Sequence, residues 1–170
     1  MDRLKKLASL AAVLLAAFFA LKFVLRLFES DETRIRRRVA AIEAAFNDGA
    51  AGGVADALAP SFRERSSGLG RDEVRGLLFQ FFQTSRDPKT RELVVAVRVE
   101  TESVKIDLAG EKPTRARLAL TAVFTRRSTS QPGPGVTARV EFRGQLEKLD
   151  GEWKFVEAEA KLVEGTWPGF

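Results

Sequence analysis

The 170-residue chain contains no cysteine, no histidine and no tyrosine. Without cysteine there can be no disulfide, no thiolate nucleophile and no cysteine-ligated metal. Without histidine the commonest general base and the commonest metal ligand are missing, and a serine–histidine–acid triad is ruled out. Any acid–base chemistry must rest on carboxylates or lysine. No catalytic residue, metal ligand or cofactor is assigned from the sequence.

What is present is apolar surface and an uneven charge. Hydrophobic residues make up 45% of the chain, enough for a sizeable core. The formal charge is +5, of which residues 1–29 carry +3, from five Lys/Arg against Asp2 and Glu29. The other 141 residues hold only +2. A nucleic-acid binder concentrates basic charge on its folded domain, so nucleic acid is not the expected partner.

The N-terminal excess points to a membrane. After Arg3, Lys5 and Lys6 comes an uncharged run, Leu7–Leu21. Those fifteen residues make about 22 Å of helix, short of a hydrocarbon core of about 30 Å. Continuing to Phe28 is enough to span if Lys22 and Arg26, four apart on one helical face, snorkel to the headgroups. A cleaved signal peptide lacks a good small-residue site, since Phe18-Phe-Ala20 is bulky, and a surface helix is at odds with the long charge-free stretch. An uncleaved signal anchor over residues 1–29 fits best, with the membrane as partner through residues 7–28. Basic residues load both flanks, and the short tail favours a domain outside the cytoplasm, periplasmic in a bacterium.

Residues 30–170 are expected to form one domain. Ser30 reads as a helix cap with Asp31 and Glu32 in the first turn. Ile35, Val39, Ile42 and Phe46 make an apolar stripe, and Asn47-Asp-Gly49 ends it. The arginine run 34–38 is read as a solvated face with acidic partners, or as a contact with anionic headgroups. Residues 50–59 allow a short helix with Val54 and Leu58 inward, stopped before Pro60, and Ser61–Gly70 reads as a loop. A third helix starts at Arg71 and places Val74, Leu77, Leu78, Phe81 and Phe82 at helical spacing.

From residue 91 the apolar period falls to two. Leu93, Val95, Val97 and Val99 share one parity and Val104, Ile106 and Leu108 the other, so a turn or bulge is expected at Glu100–Ser103. Two longer alternating runs follow, around Ala116–Phe124 and Val136–Phe142. The chain closes on a hairpin, Leu146-Glu-Lys-Leu-Asp-Gly-Glu-Trp-Lys-Phe155, whose Asp150-Gly151 suits a type I′ turn. Helices first and strands afterwards predict an α+β fold with helices on one face of a mostly antiparallel sheet.

That order resembles the nuclear transport factor 2-like superfamily (SnoaL-like, cystatin-like cone), most specifically in the closing Asp-Gly-x-Trp-x-Phe hairpin. The resemblance spans about residues 31–163. It implies three helices packed on the concave face of a curved sheet, with a pocket at the open end of the cone. Phe81, Phe82, Phe142, Trp153 and Phe155 are the candidate pocket lining. The resemblance also names chemistries that this chain cannot repeat, since ketosteroid isomerase needs a tyrosine and scytalone dehydratase needs histidines and tyrosines.

Glu157 and Glu159 are the carboxylates nearest to a catalytic reading. Strict alternation from Trp153 and Phe155 would point them inward. A bulge at Phe155–Val156 would turn them outward and bury Val156, Ala158, Ala160 and Leu162, which avoids burying two unpartnered charges. The expected function is therefore a membrane-anchored, non-catalytic cone for a small apolar ligand or for protein assembly. An isomerase- or cyclase-like enzyme using one buried carboxylate is the alternative. A homodimer could form through an outer sheet face carrying Arg115, Arg117, Arg139, Glu141 and Arg143.

Overall fold

A computed structural model of the chain describes residues 29–110, 112–126 and 135–166. The chain divides into two compact units, Met1–Arg34 and Ile35–Phe170. The anchor expected over residues 1–28, with Lys22 and Arg26, lies outside the described residues. Among the described residues no helix is long and apolar enough to cross a membrane.

Ser30 Oγ accepts from the Thr33 amide at 3.2 Å, capping helix α1 (Asp31–Asn47) as its sequence predicts, and the helix belongs to the second unit from Ile35 onward. In the second unit follow α2 (Ala51–Ala55), β1 (Leu58–Glu64), α3 (Arg71–Thr84), β2 (Val95–Val99), β3 (Lys105–Leu108), β4 (Arg115–Arg126), β5 (Gly135–Leu149) and β6 (Glu152–Gly165). The six strands form one sheet in the order β1-β6-β5-β4-β2, with β3 also paired to β4. A 3₁₀ turn at Thr101–Ser103 separates β2 from β3 and makes the parity change read in the sequence. Asp150 and Gly151 take φ of 50° and 82°, the positive pair that a type I′ hairpin requires.

Leu58–Glu64 departs from the expected helix end and loop. It is an edge strand, parallel to β6, and buries Leu58, Ala59 and Phe62. Pro60 is tolerated because the edge strand needs no amide there and its pairing slips between Leu58 and Arg63. The sheet is therefore mixed. Leu77, expected inward, is 47% exposed, because it sits about 100° around α3 from Leu78.

Two bulges bend the β5–β6 ribbon. Gln145 pairs with Glu157 and Leu146 with Phe155, so Val156 is the extra residue. That slip puts Phe155 and Ala158 on the inner face and sends Glu157 and Glu159 outward, where both pair with Arg65. A second slip, between Arg139 and Val140, leaves Val163 over and 52% exposed.

The core lies between the helices and the inner face of the sheet. Phe46 on α1 meets Phe81 and Phe82 on α3 and Phe124 on β4, with ring centroids 5.1–6.0 Å apart. The opposite edge of β2 is closed by α1. Asn47 donates to Val97 O and accepts from Val97 N, both at 2.8 Å, and Glu43 accepts from Val99 N at 3.1 Å. Two side chains one helical turn apart thus stand in for a neighbouring strand.

Candidate functional site

The inner face of the sheet and the helices do not meet everywhere. Between them lies a cavity of about 310 Å³. Helix α1 contributes Val39, Ile42 and Phe46, the same stripe that was read from its periodicity. Val54 of α2, Leu58 of β1, and Val74 and Leu78 of α3 complete the helical wall. The sheet supplies Val97, Val99, Leu118, Leu120, Ala122 and Phe124, then Phe142, Phe155 and Ala158. Among the described residues Glu43 and Arg143 are the only charged ones on the lining, and Glu43 already accepts the Val99 amide.

Of the five aromatic residues singled out in the sequence, Phe142 and Phe155 stand on this lining. Phe81, Phe82 and Trp153 are instead packed solid, with 4%, 1% and 2% exposure. Trp153 is held by the hairpin around it. Glu152 accepts from Arg38 at 2.9 Å and lies 3.2 Å from Lys154, which also donates to Asp56 O at 2.5 Å. Sequence periodicity does mark the smaller lining residues as inward-facing. It carries no signal for which inward residues border a void.

Gly144 shapes one wall. A Cβ there would stand 2.8 Å from Cδ1 and Cε1 of Phe155, so glycine lets that ring approach β5 this closely. Gly144 faces Leu118 on β4 and Ala158 on β6, which makes this row of the sheet thin.

The chemistry available inside is apolar contact. Among the described residues no polar or charged residue is buried, and no group of acidic side chains could hold a metal ion. Among the described residues three carboxylates sit below their ordinary range, all off the cavity lining. Glu152 is lowered by the hydrogen bond from Lys154, then by Arg38 and the charges of both. Asp87 is lowered by the amides of Thr90 and Lys89. At Glu64 burial pushes upward, and hydrogen bonds from Ser67 and Ser66 together outweigh it. None of the three is a carboxyl raised so as to hold a proton, as a general acid requires.

No protein-family model and no curated protein sequence matches the chain. Solved structures do. A nuclear transport factor 2-like protein with a cystatin-like fold from Novosphingobium aromaticivorans superposes with a TM-score of 0.63 at 17% identity, over 86% of this chain and 90% of that one. A candidate scytalone dehydratase from the same organism gives 0.62 at 18% identity, over 79% and 85%. ActVI-ORFA of Streptomyces coelicolor gives 0.62 at 11% identity, over 79% and 98%. The fold of this chain is cystatin-like. At these identities the likeness extends to the fold alone.

Proposed function

We propose that this chain is a non-catalytic binding domain that holds a small apolar molecule inside its cone, tethered to a membrane through residues 7–28. The observation that carries the reading is the apolar cavity of about 310 Å³, which reaches the range of small-molecule sites. Among the described residues no ionisable side chain is fully buried, and Glu43, the one carboxylate on the lining, already accepts the Val99 amide. In this reading Lys22 and Arg26 contact headgroups, and the domain lies outside the cytoplasm.

The test is native mass spectrometry of the full chain released from detergent. Co-purification of a single apolar small molecule, lost in a cavity-filling Leu78→Trp variant, supports the proposal. An adduct-free spectrum in both proteins speaks against it.

One observation keeps an enzymatic reading in view: Glu43 is a carboxylate on the lining. An isomerase- or cyclase-like activity would depend on it, and Glu43→Gln would abolish turnover while leaving the fold intact. For assembly, a homodimer through the outer sheet face is the corresponding proposal. A charge reversal, Arg139→Glu, that left the oligomeric state unchanged would count against it.

A further inference from the structure

The outer face of the sheet carries a second concavity, a cleft of about 500 Å³ lined from β3, β4, β5 and β6 and by Arg65, just after β1. Its centre follows from strand register. Ala119 on β4 lies directly between Lys105 on β3 and Arg143 on β5. Arg117, two residues before Ala119 on the same face, is the diagonal neighbour of both. Diagonal neighbours sit about 7–8 Å apart. Three cations therefore surround one small side chain.

These charges are only partly neutralised by the protein itself, since Asp107 and Glu157 line the cleft with Arg65, Lys105, Arg117 and Arg143 and leave an excess of positive charge. Among the described residues Lys105 and Arg117 make no ion pair, and Arg143 has only Glu141 at 3.8 Å. Asp107 lies opposite Arg117. Glu157 and Glu159, on the β6 side, are engaged by Arg65. Like charges held this close on one sheet face repel, and a bound oxyanion would remove that repulsion. Lysine and arginine together suit a phosphate group, which takes a point charge and a forked donor at once.

We propose that this cleft is a binding site for a phosphate-type oxyanion, seated over Ala119 and held by Lys105, Arg117 and Arg143. The phosphate belongs either to a soluble phosphate compound or to a lipid headgroup. The site opens on the other face of the sheet from the apolar cavity, with Leu118, Arg143 and Gly144 bordering both, and does not rest on the cavity's being occupied.

Isothermal titration calorimetry of the detergent-solubilised full chain with inorganic pyrophosphate tests it. The Lys105→Gln/Arg117→Gln double variant is expected to weaken binding about tenfold or more. Ala119→Leu, which fills the seat without changing charge, is expected to weaken it comparably. Arg75→Gln, on α3 and outside the cleft, is expected to leave it unchanged. No binding by the native chain overturns the proposal. So does equal loss in Arg75→Gln, or no loss in Ala119→Leu, because either means a diffuse charge effect. Glycerol 3-phosphate and dihexanoyl phosphatidic acid separate the two sources. Tighter binding of the second in the native chain, abolished by Ala119→Leu, assigns a lipid headgroup, and equal binding assigns a soluble phosphate.

Discussion

The ring of Phe155 lies on the bare backbone of Gly144, in the space that a Cβ at 144 would take. This contact links the hairpin to the cavity. The same strand row that accepts the ring forms part of the cavity wall, so the ring's position sets how much room is left inside. Gly144→Ala is expected to push Phe155 off β5 and to destabilise the fold by about 1–3 kcal/mol, as overpacking does. Chemical denaturation reads the cost. A smaller or absent cavity in a crystal structure of the variant reads the displacement.

Phe82 is 1% exposed and packs edge-on against Phe46 at 5.1 Å. Phe82→Ala is expected to cost about 3–5 kcal/mol in urea unfolding. Phe142 is only half-buried and already borders a void, so Phe142→Ala is expected to cost distinctly less. Equal losses would mean that the cavity does not exist in solution.

Asn47 answers both backbone groups of Val97 at the β2 edge. Asn47→Ala leaves that amide and carbonyl without a protein partner and is expected to cost about 1–3 kcal/mol. Hydrogen exchange should localise the change, with the Val97 amide losing protection and the β5–β6 amides keeping theirs.

Glu152 predicts a pH dependence. Its folded pKa is lowered from the ordinary 4.5 by Lys154 and Arg38. Its contribution to stability is therefore fully present above that ordinary value and lost as pH falls through the folded one. The side chain is 58% exposed, so screening holds the effect below about 1 kcal/mol. Glu152→Gln should be slightly less stable than the native chain at pH 7, and the two melting curves should converge as the pH drops well below 4.5.

Much of the cone is legible in the sequence where the signal is local. The Asp150-Gly151 turn, the cap at Ser30, the stripe on α1 and the parity change at Glu100–Ser103 each depend on neighbours within a few residues. The bulge at Val156 is legible for an energetic reason, since it spares the fold two buried carboxylates. What escapes is non-local. Leu58–Glu64 becomes a strand only because β6, some ninety residues away, offers a parallel edge. Its own Pro60, Ser61 and charged residues read as a loop. The cavity escapes for a related reason. Periodicity tells which side of each element is apolar, and it cannot tell where two apolar sides fail to touch. Phe81, Phe82 and Trp153 are as apolar as Phe142 and Phe155, yet they fill the core while the other two border the gap.

The most direct test of the account is a titration of the full chain with N-phenyl-1-naphthylamine, an uncharged apolar fluorophore, against the Leu78→Trp variant in the same detergent. Taking the difference between the two proteins removes partition of the probe into micelles. Saturable fluorescence enhancement with one site per chain, absent from Leu78→Trp while its melting temperature is kept, is the predicted result. Identical titrations of the two proteins would contradict it, and the cone would then have to be read as a scaffold and not as a container.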